Sequence, residues 1–232
     1  MKSDTPIFYH SQLSTQPASV VLEEETQKHL VTVLRMQVGD HFVLTDGKGL
    51  SAKATIHQIA KKQVTVSLSA YEIHDKPGIK ISLGISLLKN TTRFEWMLEK
   101  VTELGVHEIF PLITERTERQ YFKKERFNQI VRSASLQSEQ FVFPLLYEPQ
   151  SLESLLQVDL PSFRYIAHCY STEKSPLTKQ SNDCILLIGP EGDFTHDEIE
   201  AALQKKFIPV GLGVTRLRTE TAGIVGVSLL RG

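Results

Sequence analysis

The sequence predicts an α/β protein, in which a mostly parallel sheet covered by helices follows a small β-barrel. Three observations predict it. Short strands with alternating apolar residues crowd residues 1–73, strands then alternate with helical spans to residue 232, and a polar turn cluster, His74-Asp75-Lys76-Pro77-Gly78, separates the two rhythms. The chain therefore reads as two domains, 1–73 and 74–232.

In the first domain, Glu23 to Met36 has helical spacing, with Leu30, Val33 and Leu34 on one face and Gly39 beyond its end. Phe42 to Thr45 and Ser51 to Ile56 flank Asp46-Gly47-Lys48-Gly49, a hairpin connection rich in residues that tolerate positive φ. Val64, Val66 and Leu68 alternate with Thr65, Ser67 and Ser69, as in a half-buried strand. Several short strands in so short a stretch suit a small barrel.

The second domain opens on an apolar strand, Ile79 to Leu88. Thr92-Arg93-Phe94-Glu95 reads as a capping box, in which a hydroxyl and a carboxylate satisfy orphan amides. Phe94, Met97, Leu98, Val101 and Leu104 follow at helical spacing, and Gly105 can end that helix in the left-handed conformation. Further strands are expected at His107 to Ile113, Phe163 to Tyr170, Cys184 to Ile188 and Phe207 to Leu212. Helices are expected at Lys123 to Glu139, Thr195 to Lys206 and Thr219 to Leu230. Strands alternating with helices imply a parallel sheet covered on both faces.

Composition narrows the function. The apolar fraction of 41% is that of a globular protein, and no apolar run reaches the length of a membrane span. The start lacks a secretory signal, and Cys169 and Cys184 have neither metal-ligand nor disulfide-framework spacing, so a reduced cytoplasmic setting is expected, with no metal. A net charge of −1 argues against nonspecific polyanion binding; any RNA must be held by local patches and shape. Thr114 to Arg132, with six basic and three acidic residues, is one such patch, and equally reads as a solvated helix face. Motifs of dinucleotide enzymes, P-loop enzymes, zincins and α/β-hydrolases are all missing, and His29, His107, His168 and His196 form no ligand pattern.

Ligands of open parallel sheets bind beyond the carboxyl ends of the strands, and two segments there carry unusual turns. One is Leu186-Leu187-Ile188-Gly189-Pro190-Glu191-Gly192-Asp193-Phe194, followed by a second capping box at Thr195 to Glu198. The other is Gly211-Leu212-Gly213-Val214-Thr215-Arg216-Leu217-Arg218-Thr219-Glu220-Thr221-Ala222. Glycines let another molecule approach the backbone, and peptide groups there can bond a flat heterocycle. Each segment also reads as a tight strand-to-helix connection, with Glu220 steadying the first turn of a helix.

With these residues in hand, the chain resembles the ribosomal RNA small subunit methyltransferase E family, the 16S rRNA uracil-N3 methyltransferases of the SPOUT superfamily. The blocks are His29-Leu30-Val31-Thr32-Val33-Leu34-Arg35 with Val38-Gly39-Asp40, and Arg93-Phe94-Glu95-Trp96 through Val106. Glu115 to Arg119 and Gln137-Ser138 follow, and Gly189-Pro190-Glu191-Gly192 and Leu217 to Ala222 are the most specific pair. The resemblance implies a PUA-like barrel for RNA over 1–73, a methyltransferase domain with a C-terminal trefoil knot over 74–232, and a homodimer acting on 16S rRNA in the small subunit. It implies S-adenosylmethionine held by His168, Cys169, Leu187, Ile188, Gly189, Pro190, Glu191, Gly192, Leu212, Gly213, Arg216, Leu217 and Arg218. Arg35, Arg116 and Arg119 are its implied RNA contacts. Asp193 stands where many relatives have glycine, Val214-Thr215-Arg216 replaces a common Pro-Arg-Ile, and Gln140 takes an often basic place.

For such a reaction uracil N3 must lose its proton while charge spreads onto O2 and O4. Arg218 suits the charge-stabilising role, and Glu191 or Glu220 suits the proton acceptor. The alternatives are another SPOUT activity, on ribose 2′-O or tRNA, a non-catalytic RNA-binding protein of ribosome assembly, and a small-molecule α/β enzyme that would gain nothing from the N-terminal barrel.

Overall fold

A computed structural model of the chain describes residues 5–16, 18–60, 63–76, 78–118, 121–171 and 173–232. It divides into two compact units, Met1–Pro77 with Ser135–Phe143, and Gly78–Ala134 with Pro144–Gly232.

The first unit holds one five-stranded sheet, in the order β1 (Ile7–Tyr9), β3 (His41–Thr45), β4 (Leu50–Ala60), β5 (Gln63–Ile73) and β2 (Ser19–Val21). Only β1 and β3 pair in parallel; the other pairs are antiparallel. Val64, Val66 and Leu68 are buried as their alternation predicts, against Phe8, Leu30, Phe42, Leu44, Ala54 and Ile56 in one apolar core. The helix expected over Glu23 to Met36 is instead a short α1 (Glu24–Lys28) running into a π-helical turn, His29–Val33. Three consecutive β-branched residues, Val31, Thr32 and Val33, are poor α formers there, and Arg35 then takes φ 53° and ends the element. The β3–β4 hairpin has both its glycines at positive φ, 70° at Gly47 and 113° at Gly49. It is completed from far along the chain, where Phe143 N donates to Gly47 O (2.8 Å) and Gly49 N to Phe141 O (3.0 Å). His74 stacks on Phe141 with ring centres 4.0 Å apart.

The second unit is a parallel sheet ordered β11 (Ser175–Pro176), β13 (Ile208–Gly211), β10 (Phe163–Ala167), β12 (Cys184–Ile188), β6 (Ile81–Ser86), β7 (Glu108–Ile113), β8 (Leu145–Leu146), with β9 (Gln150–Ser151) also on β7. The two-residue strands and the short α4 (Leu152–Leu155) are too brief for any periodicity to announce. Helix α2 (Thr91–Glu103) buries Phe94, Met97, Leu98 and Val101 as its spacing predicts. Its cap is Asn90, whose side chain accepts from Arg93 N, and not the expected Thr92/Glu95 box. Asn is among the strongest N-caps, and Glu95 is taken by Arg126 of α3 (Lys124–Gln137), with Nη2 at 2.7 Å. The box expected before α5 (His196–Gln204) is present, since Thr195 accepts from Glu198 N and Glu198 accepts from Thr195 N.

The last helix, α6 (Thr219–Arg231), packs on α2, β6 and β12. Gly223 faces Ile85 and Gly226 faces Leu186, so the missing side chains let the helix lie close on the sheet. Both sheet faces are covered by apolar clusters, as a parallel sheet requires. At the amino ends of the central strands, Glu108 is buried, and burial opposes its charge. Bonds from Lys80 Nζ (2.8 Å) and Ser82 Oγ (2.8 Å) outweigh that and hold the carboxyl below its usual range. The carboxyl ends of β10, β12 and β13 open onto a cavity.

Candidate functional site

A cavity of about 690 Å³ lies where β10, β12 and β13 end, at Ala167-His168, Ile188-Gly189 and Val210-Gly211. Three chain segments and the start of α6 build its wall.

The first segment follows β12. Asp193 N donates to Pro190 O (2.9 Å), folding Gly189 to Gly192 back on itself. Phe194 packs so close to Gly189 that a side chain there would meet its ring and amide at 3.0 Å. Arg116, from the loop after β7, clamps the turn, with Nη1 donating to Gly192 O (2.9 Å) and to the Tyr170 hydroxyl (3.0 Å). Asp193 sits at φ 65°, in the left-handed region. Its Oδ1 accepts from Phe194 N (2.8 Å), and its Oδ2 accepts from Cys169 N (2.7 Å).

The second segment follows β10. His168 is buried, and neither ring nitrogen has a hydrogen-bond partner. Burial lowers its pKa, and the nearby Lys174 ammonium acts in the same sense, so the imidazole is neutral at neutral pH. Lys174 Nζ is itself held by His168 O and Tyr170 O, each at 2.7 Å.

The third segment joins β13 to α6. Gly213 takes φ 139°, a side chain there would meet nothing within 4 Å, and Val214 is fully exposed. Helix α6 starts after Arg218, which gives it no side-chain cap. Glu220, in its first turn, is 5% exposed, with Oε1 3.7 Å from Arg93 Nε and Oε2 without a hydrogen-bond partner.

Both glycine-bearing turns thus border one cavity, which Gly189 and Gly213 both line. His168, Cys169, Ile188, Pro190, Glu191, Leu212, Arg216, Leu217 and Arg218 line it too, as does Glu220. Leu187 does not, because its side chain points into the apolar cluster under α4 and α5. Gly192 also stays off the wall, and a Cβ there would meet the Arg116 stem at 3.3 Å. Arg35 is exposed in the first unit, Arg116 is exposed but bonded as described, and Arg119 lies outside the described residues.

Sequence reasoning gave no role to Arg93 or Lys174, although both line the cavity. Arg93 carries a signal only as the head of one family block, because nothing in local spacing brings α2 to the start of α6. Chemically, the wall combines apolar side chains, open backbone groups and charges of both signs. It can hold a flat heterocycle with a charged tail and still leave a buried carboxylate oxygen for a donor.

Residues 74–231 match the RNA methyltransferase domain family, and residues 22–69 match the RNA methyltransferase PUA domain family. A ribosomal RNA small subunit methyltransferase E of Synechocystis sp. is 33% identical over 220 residues, 91% of this chain and 72% of that protein. Among solved structures, a probable rRNA-methyltransferase of Porphyromonas gingivalis has a TM-score of 0.88 at 36% identity, covering 96% of this chain and 95% of that one. The ribosomal RNA small subunit methyltransferase E of Neisseria gonorrhoeae, bound to S-adenosyl methionine, has a TM-score of 0.85 at 28% identity, covering 97% of this chain and 95% of that one.

Proposed function

The chain belongs to the ribosomal RNA small subunit methyltransferase E family, and on that footing we propose that it methylates N3 of a uridine in 16S rRNA of the small ribosomal subunit, using S-adenosylmethionine. The single observation that carries this reading is the cavity shared by the Gly189 turn and the Gly213 loop, with the buried Glu220 on its wall.

The residues present fit the cofactor. Gly213 leaves open space beside the loop, the apolar Ile188 and Leu212 suit an adenine ring, and the neutral His168 keeps two unbonded ring nitrogens for a polar ligand. When bound, S-adenosylmethionine supplies a methyl group already activated as part of a sulfonium, so the protein's task is positioning and proton handling.

Arg218, exposed on the cavity rim, offers its planar fork of donors to uracil O2 and O4 as N3 loses its proton. Glu220 is the better placed proton acceptor, since its Oε2 is buried and unbonded. Glu191 is exposed, and its Oε1 already accepts from Lys89 N (3.3 Å).

Arg35 and Arg119 serve as RNA contacts in this reading. Arg116 joins them through Nε and Nη2, since its bonds to the turn use Nη1 alone. Residues 1–73 act as the RNA-binding module and 74–232 as the knotted catalytic domain. The working form is a cytoplasmic homodimer acting on the assembled subunit.

The test is methyl transfer to small subunits lacking the modification, followed by nucleotide mapping with mass spectrometry. A single 3-methyluridine in 16S rRNA is expected. A methyl group on a ribose 2′-oxygen or on tRNA, or no transfer with no cofactor binding by calorimetry, overturns the reading.

A further inference from the structure

Two charged side chains, far apart in sequence, meet on the cavity wall. Arg93 leaves the first turn of α2, where its own amide is fixed by the Asn90 cap (3.3 Å). Glu220 leaves the first turn of α6, where the positive end of the helix favours its negative charge. Nε of Arg93 stands 3.7 Å from Oε1 of Glu220, near enough to orient it and too far for a hydrogen bond. The other oxygen, Oε2, is buried without a partner, whereas buried carboxylate oxygens are ordinarily bonded. Lys174, Glu191, Asp193, Arg216, Arg218 and His168 also line the cavity, yet among the described residues only Arg93 is ion-paired with Glu220.

We propose that Arg93 is a positioning residue, which draws Oε1 of Glu220 aside so that Oε2 accepts the N3–H of the target base and thereby selects uracil over cytosine. The inference deepens the function proposed above and rests on it. Uracil presents a donor at the middle of its Watson–Crick edge. Cytosine presents a lone pair at the same place, which a carboxylate oxygen repels. A buried acceptor that lacks its donor is costly, so the wrong base leaves Glu220 unsatisfied and the right one completes it. The proton that leaves N3 passes to Oε2, and the nitrogen keeps the electron pair.

The test uses the full-length enzyme with Arg93→Ala, Arg93→Lys, Glu220→Ala and the Arg93→Ala/Glu220→Ala double variant. The first measurement is equilibrium binding, with S-adenosylhomocysteine present, to small subunits carrying uridine or cytidine at the target position. Wild type is expected to prefer uridine by about 10-fold, and both alanine variants to lose that preference. The second is kcat for methyl transfer against pH. Each alanine variant is expected to fall about 10²-fold, and the double variant no further, because the pair acts as a unit. The deficit should shrink at alkaline pH, where uridine loses the proton unaided, and Arg93→Lys should restore part of the rate.

Unchanged S-adenosylhomocysteine affinity in the variants shows that the cavity is intact. An Arg93→Ala enzyme that keeps both the rate and the base preference overturns the inference, as does a deficit that is flat across pH. If wild type itself methylates no uridine, the function proposed above falls as well; indifferent variants of an active wild type remove only this inference.

Discussion

Asp193 occupies a backbone position where glycine is the natural choice, and its side chain offers something that glycine lacks. At φ 65° a Cβ is strained, although aspartate tolerates this region better than most residues. Its two carboxylate oxygens hold Phe194 N and Cys169 N, tying two of the cavity segments together. Asp193→Ala should therefore destabilise more than Asp193→Gly, by about 1 kcal/mol in urea denaturation, since alanine keeps the strain and loses both bonds. Equal losses would mean that the backbone there carries no strain. His168 makes a different kind of prediction. Burial lowers its folded pKa below the ordinary 6.5, so the unfolded chain takes up the proton first as pH falls. The associated stability is intact above that ordinary value and is lost as pH falls toward the lower folded one. Between about pH 7 and about pH 5, the melting temperature of wild type should drop relative to His168→Phe. Parallel curves would show that the imidazole is not held neutral.

At the scale of elements, long periodic segments were legible and their ends were less so. The span Cys184–Ile188 matches the expected strand at both ends, because an apolar run bounded by Asp183 and by Gly189-Pro190 has little freedom. Helix α6 was legible in spite of Gly223 and Gly226, but the reason for those glycines was not, since it lies in Ile85 and Leu186 of other elements. Gly226→Ala is expected to cost about 1–3 kcal/mol by wedging α6 off β12, measured by chemical denaturation. A neutral or stabilising effect would make Gly226 an ordinary weak helix residue. The cap of α2 lies at Asn90, two residues before the expected Thr92, because Asn is a strong N-cap and Glu95 is drawn off by Arg126 of α3. The two loops that border the cavity were legible from their glycines. The Arg93–Glu220 pair was not, since a contact between two helix starts leaves no local pattern.

At the scale of the whole molecule, a net charge of −1 leaves no general attraction for RNA, and the basic stretch over 114–132 is partly spent within the protein. Arg126 pairs with Glu95, Lys124 with Glu148, and Arg116 with the Gly192 carbonyl. RNA binding is therefore expected to depend only weakly on salt, with a log–log slope of roughly −2 to −4 from a small number of phosphate contacts. Assembled small subunits should be far better substrates than a naked hairpin of the same sequence. A steep slope, or equal turnover on the hairpin, would contradict this. The return of Ser135–Phe143 to the first unit bears on biosynthesis as well. As the chain emerges from a translating ribosome, the amino-terminal unit lacks Phe141 and Phe143 until the ribosome has travelled well into the other unit, several seconds later at about 5–20 residues per second. An open reading frame cut just after Pro77 would thus yield a fragment without part of its own packing, and such a fragment should be recovered mainly as aggregate.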